Sequence, residues 1–493
     1  MTMLLHRCGL IVALLLASAA VSPADEDRAA AALKQRGATV ERDEKRPGRP
    51  VVSVDFGQAE PTDKELKELA ALTQLQKLNL INADKVSRTG LKELAALKQL
   101  RVLSFGRNKI TRADLRGLTP LKQLRTLYLD AEEIPAGTLK ELVALEQLRE
   151  LSVTGNNLEE DGLKGLGDLK QIQKLYLYSY LFTDRCLKEV GKLTQLKALR
   201  MFTLAVVTEK GLKDLAGLTQ LRALELVVKV TDAGLKELAS LGELRGLSII
   251  PKNLTGAGLK RLTALKRLRR LDLPAGQVTG LKELMHLKEL RSLDLSYTEL
   301  SPEALKEIGT LTQLHSLHLG GRHVTDAGLK ELAPLKHLQL LHLNHTGVTD
   351  AGLKNLAALK ELRTMYLDYT RVTGAGLKEL AAIPRLETLH LSGPSMKDTR
   401  FKDLAAVQSL RTLSLDSLTL TDAGLKGLAS LQQLRTLYLQ RVEMTGAGLE
   451  RLRRALPNCN VRRSKYGGMP RALEPDLIGR DPALFDEEPP GNR

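Results

Sequence analysis

Apolar residues along the chain follow two rhythms that alternate. In "LRTMYLDY" (residues 362–369), Met365 and Leu367 alternate with Thr364, Tyr366 and Asp368. A period of two predicts a strand with one buried face. In "TDAGLKNLAALKEL" (349–362), Leu353, Leu356 and Leu359 recur at helical spacing. Thr349 or Asp350 is suited to cap the helix, because a side-chain oxygen there accepts an unpaired N–H of the first turn. The unit is therefore strand, loop, helix. Its first Leu or equivalent recurs at eighteen positions from Val51 to Leu456, mostly 24 residues apart, with extremes of 22 and 25. One such unit cannot bury its Leu rows alone. Stacked units can, each strand bonding the next in a parallel ladder. Helices are about 10 Å wide and strands lie about 4.8 Å apart, so the expected stack curves, with strands inside and helices outside.

The LxxLxL frame followed by V-T-D-A-G-L-K-x-L-A-x-L makes residues 51–461 resemble a leucine-rich repeat protein. The 24-residue bacterial class is one likeness. The repeats of F-box proteins, whose helix also opens on T-D-x-x-L, are another. The resemblance implies an α/β leucine-rich repeat solenoid, a curved horseshoe with an inner parallel sheet of about eighteen strands and outer helices. Asn at the loop position appears at Asn108 and Asn156, with Thr298, Thr346 and Thr370 in its place elsewhere. A hydroxyl still caps loop backbone groups, with fewer bonds.

The ends depart from the repeat. "MTMLLHRCGLIVALLLASAAVSPA" has a basic residue, an apolar run from Gly9 to Ala20 and small residues after it. This is the three-part pattern of a secretory signal, expected over 1–24 with cleavage after Ala19 or Ala24. The run falls short of the roughly 20 residues that a spanning helix needs. Residues 25–50 are expected to cap the stack with a short helix and a hairpin strand, since open solenoid ends require a polar cap. The solenoid itself takes 51–463. Residues 464–493, rich in Pro, Gly and charge, are expected to be a disordered tail.

Composition narrows the chemistry. Aromatic residues are 3% of the chain and Trp is absent, so the core must be aliphatic. Removing the leader leaves two cysteines, Cys186 and Cys459, about eleven repeats apart. No disulfide is expected between them, because one needs Cα atoms within roughly 7 Å. The formal net charge is +16, yet the inward strand positions carry four basic and eight acidic residues. The excess must lie on the helices and on an Arg that follows the first Leu of many repeats. Arg101, Arg125, Arg149, Arg222, Arg245, Arg269, Arg291, Arg363, Arg411 and Arg435 form that row. Such arginines are suited to capping helix C-terminal carbonyls; a basic rim for anionic envelope polymers is the alternative.

The candidate binding residues lie at inward strand positions. Tyr128, Tyr176, Tyr178 and Phe202 form one aromatic group, and aromatics on a rigid sheet make favoured anchors. Asp294, His318, His342, Tyr366 and His390 form a second, with His345 one residue beyond the strand. Asp294, His318 and His342 have the chemistry to share a metal or sense pH; the plainer reading, exposed polar residues in duplicated copies, is the expectation, and no metal or cofactor is assigned. No nucleophile with a base and no phosphate loop is apparent, so no enzyme activity is expected. The expected function is an exported binding scaffold for a protein or cell-envelope ligand. It is expected to be monomeric, with no nucleic-acid partner and no membrane segment after cleavage. The alternative is the substrate-recognition subunit of a larger, ubiquitin-ligase-like assembly. It is weakened by the short stretch before the first strand.

Overall fold

A computed structural model describes residues 22–464, except 108 and 397. Most of the leader, Asn108 and nearly all of the tail lie outside it. The chain divides into two compact units, Met1–Leu196 with Phe202–Ala205, and Lys197–Met201 with Val206–Arg493.

The first unit opens with α1 (Pro23–Gln35). Ser22 caps it, its hydroxyl accepting from the Asp25 N–H, and Pro23 takes the first turn. Proline suits that position because its missing N–H has no partner there anyway. β1 (Thr39–Arg42) pairs antiparallel with β2 (Val51–Asp55). β3 (Lys77–Leu80), β4 (Val102–Gly106), β5 (Thr126–Asp130), β6 (Glu150–Thr154) and β7 (Lys174–Tyr178) follow, each parallel to its predecessor.

In chain order β8 (Ala198–Phe202) follows, its last residue counted with the first unit; the second unit then holds β9 (Ala223–Val230), β10 (Gly246–Pro251), β11 (Arg270–Asp272), β12 (Ser292–Leu295) and β13 (Ser316–Leu319). β14 (Leu340–His342), β15 (Thr364–Tyr366), β16 (Thr388–Ser392), β17 (Thr412–Asp416), β18 (Thr436–Gln440) and β19 (Asn460–Ser464) complete it. From β9 onward each strand is parallel to the next, in a register that sets equivalent repeat positions side by side. Among the described residues there are thus eighteen repeat strands and one from the cap. The sheet is open, not closed into a barrel.

The core is the aliphatic interior that the frame dictates. Leu338, Leu341, Leu343, Leu353, Leu356 and Leu359 of one repeat are all fully buried, and most of their counterparts are buried too. The helical side is less regular than the sequence predicts. α-Helical turns such as Asp326–Lys330 and Asp350–Leu353 are short, and the segments Gly374–Ala382 and Asp398–Ala406 are 3-10 helices. A 24-residue repeat leaves little chain after the strand and loop, and short turns favour the tighter helix.

The T-D-A-G phrase has a specific meaning here. Thr349 is the N-cap, and its hydroxyl accepts from the Ala351 N–H. The neighbouring Asp350 is not a cap; it reaches forward to the next repeat. Asp63, Asp232 and Asp326 make the same forward reach to Ser87, Thr255 and Thr349. The glycine that follows the receiving Thr at the third position makes room. A Cβ on Gly376 would lie 2.4 Å from Asp350 Oδ1, and one on Gly352 would lie 2.3 Å from Asp326 Oδ1. At the loop position, the buried hydroxyls of Thr298, Thr346 and Thr370 donate to the carbonyls of Leu273, Leu343 and Leu367.

Both described cysteines are free thiols; Cys186 is buried and Cys459 partly so. No helix among the described residues is long and apolar enough to cross a membrane.

Candidate functional site

In the first unit the strand alternation presents the aromatic group. Leu175 and Leu177 of β7 point into the core, while Tyr176 and Tyr178 stay half-buried on the open face. Tyr178 stacks on Phe202, with centroids 4.6 Å apart and planes at 10°. Tyr180 adds edge contacts at 5.8 Å to Tyr178 and 6.1 Å to Phe202. The Tyr178 hydroxyl donates to that of Tyr180 at 3.2 Å, a bond that raises the Tyr178 pKa. Leu181 and Leu204 border the trio and are 44% and 69% exposed. Inward strand positions alone do not include Tyr180, Leu181 and Leu204, because these lie beyond the strands. The run "YLYSYLF" (176–182), interrupted only by Ser179, is the sequence signal that points to the first two. Tyr128 stands apart, two strands from Tyr176 across Ser152. Its hydroxyl donates to Glu150 at 3.1 Å, and burial beside that carboxylate pushes its pKa up to about 12.

In the second unit the ladder register carries Asp272, Asp294, His318, His342, Tyr366, His390, Ser414 and Tyr438 into one column. Four of these side chains stack continuously. His318 and His342 lie 5.3 Å apart at 4°, His342 and Tyr366 4.9 Å at 28°, and Tyr366 and His390 4.1 Å at 18°. These rings cover one another. His342 is 2% exposed, Tyr366 5% and His390 1%. The expectation of exposed polar residues is corrected at these three positions: one ring per strand at strand spacing is near stacking distance, so each ring shields the next. Asp294 is buried too, and its carboxylate accepts from the Ser296 N–H. His318, at the start of the stack, stays half-buried and bonds the Ser316 hydroxyl.

Burial sets the electrostatics of this column. It lowers His342 to about 3 and His390 to about 4, since an imidazolium there would lose its water. Neither ring nitrogen of His390 has a partner among the described residues. Asp272 is pushed up to about 7, mainly by burial, against the pull of Arg270 at 2.9 Å. Asp368 rises to about 6 for the same reason, partly offset by Ser392 and Asn344. Beside the column, at left-handed strand corners, Tyr297, His345 and Tyr369 make a second row. His345 and Tyr369 stack at 5.0 Å and 3°, and Tyr297 lies 6.0 Å from His345. The two tyrosines are exposed, Tyr297 by 53% and Tyr369 by 40%.

Among the described residues no group of three or more His, Cys, Asp or Glu is arranged to hold a metal ion. The arginine row divides. Arg149, Arg291 and Arg411 donate to carbonyls of the preceding turn, at Glu146, Lys288 and Gln408, while Arg363 pairs with Glu387 at 2.6 Å.

Comparison with known proteins adds the family. The model of the "leucine-rich repeat region" matches residues 108–328, and that of a leucine-rich repeat matches 335–357. No curated protein sequence matches the chain. Among solved structures, a leucine-rich repeat protein of Leptospira interrogans is 24% identical at a TM-score of 0.50. That alignment covers 82% of this chain and 100% of the other. An internalin from Listeria monocytogenes is 19% identical at a TM-score of 0.41, over 79% of this chain and 94% of its own. The repeat frame, the family matches and the shared fold agree: the chain carries leucine-rich repeats.

Proposed function

We propose that the chain is an exported, non-enzymatic scaffold that binds a protein partner on the open face of its strands. The cluster of Tyr178, Tyr180 and Phe202, bordered by the exposed Leu181 and Leu204, carries this reading. Large aromatic side chains, fixed in place by mutual stacking, give an anchor that needs little ordering on binding. A patch of this kind on an otherwise polar surface marks contact sites. An open strand face also lacks the enclosed, water-excluding pocket that most catalysis uses. Export rests on the leader pattern of residues 1–24.

The test is a pull-down from envelope extract with the mature chain and with Tyr178→Ser/Phe202→Ser, followed by titration of the captured protein in pure form. The reading expects a partner that binds the wild type at least tenfold more tightly. Equal binding by the two chains, with the variant's melting temperature unchanged, removes the cluster from the interface. Recovery of the protein from cytosol alone removes export and revives the assembly-subunit alternative.

A further inference from the structure

The basic excess has a definite address in the second unit. Six successive repeats place Lys197, Arg222, Arg245, Arg269, Arg291 and His315 at the residue just before the strand. Backbone bonds hold them on one line. The N–H of each donates to the carbonyl of the one before, at 2.7 or 2.8 Å throughout. The basic side chains therefore recur at the strand spacing, about 4.8 Å. Arg291 folds onto the carbonyls of Lys288 and Leu290. Arg222 and Arg245, by contrast, make no side-chain hydrogen bond or ion pair with any described residue. Arg222 is exposed and Arg245 half-exposed.

The surroundings leave Arg222 and Arg245 uncompensated. The next residue of the chain is Ala223, Gly246, Ser292 or Ser316, none of which bears charge. Arg270, the exception, is turned inward onto Asp272. On the preceding turns Glu243 is held by Arg267, and Glu289 is the one carboxylate beside the row that no cation holds among the described residues.

We propose that the edge carrying Arg222 and Arg245 binds an extended acidic polysaccharide, one anionic group to each of these two arginines. A row of cations at fixed rise along one edge favours a single chain that can run alongside it. A duplex nucleic acid winds its phosphates around an axis, about 3.4 Å apart along each strand, and leaves such a row after a short contact. This proposal is independent of the protein partner assigned to the aromatic cluster, whose residues it does not use.

Fluorescently labelled heparin, titrated into the full mature chain at several salt concentrations, tests it. Arg222→Ser/Arg245→Ser should weaken binding at least fivefold at low salt. It should also flatten the slope of log affinity against log salt by about 1.4, near 0.7 for each cation removed. Arg222→Lys/Arg245→Lys, which keeps the charge, should recover most of the affinity. Lys330→Ser/Lys354→Ser removes the same charge from the helical side and should stay within twofold of wild type. The proposal is overturned if the wild type does not bind heparin, or if the two serine variants weaken alike. Tighter binding of duplex DNA through the same two arginines also overturns it, because the edge would then read nucleic acid.

Discussion

Asp350 accepts two hydrogen bonds from Thr373 of the next repeat, from its N–H at 2.7 Å and its hydroxyl at 2.6 Å. The same Thr373 caps its own helix by accepting from the Ala375 N–H. One side chain thus joins two repeats while its partner starts the second helix. Gly376 is part of the joint, since an added Cβ would meet the Asp350 carboxylate. Gly376→Ala should destabilise the chain by about 1–3 kcal/mol, the range for overpacking. Asp350→Ala should cost about 1–2 kcal/mol in hydrogen bonding. The double variant should cost clearly less than the sum, because without the carboxylate the methyl has space. Additive melting shifts would contradict the joint.

Frame and face should separate in mutagenesis. Leu343 is fully buried, and Leu343→Ala should cost about 2–5 kcal/mol. Tyr176→Ala, on the open face, should stay within about 0.5 kcal/mol while altering partner binding. Denaturant unfolding of the two variants checks this; the reverse ranking would mean that the strand faces are exchanged.

The ring column predicts an acid-sensitive second unit. His342 and His390 are lowered from 6.5 to about 3 and about 4. Their contribution is therefore complete above pH 6.5 and is lost as pH falls toward those values. Asp272 and Asp368 act in the opposite sense. Raised from 3.8 to about 7 and about 6, they contribute below pH 3.8, and that contribution is lost as pH rises through the raised values. His390→Phe keeps the stack and should flatten the fall in melting temperature between pH 6.5 and 4. Asp368→Asn should raise stability at pH 8 relative to wild type more than at pH 4. If both variants follow the wild-type profile, the column does not control the response.

The two thiols should differ in reactivity. Burial pushes Cys186 up to about 12 and raises Cys459 as well, but only Cys186 is wholly enclosed. A maleimide at pH 8 should label Cys459 in the native mature chain and reach Cys186 only in denaturant, as mass spectrometry of the peptides will report. Labelling of native Cys186 would place the helical turn Asp184–Val190 outside the core.

The Leu frame is legible in sequence because period two and helical spacing are local signals, repeated eighteen times from Val51 to Leu456. The face is only half legible. Alternation tells which way Tyr176 and His342 point, but it does not tell what stands beside them one strand away. That is why Tyr176 remains half-exposed while His342 is enclosed by His318 and Tyr366. Tyr180 is not legible for a related reason: it lies past the strand, where the backbone turns and the alternation rule ends. The role of Asp350 is not legible because a single repeat satisfies its capping through Thr349, and the forward bond exists only once a neighbour is stacked.

The Thr–Asp–Gly joint also bears on how such a chain can change. Each junction uses the same three residue types, contributed partly by one copy and partly by the next. Deleting or duplicating a whole 24-residue segment therefore brings together two surfaces that already fit. Length becomes a quantity that unequal recombination can adjust without inventing an interface, and the near-identical phrases around residues 341–386 are what such an origin leaves behind.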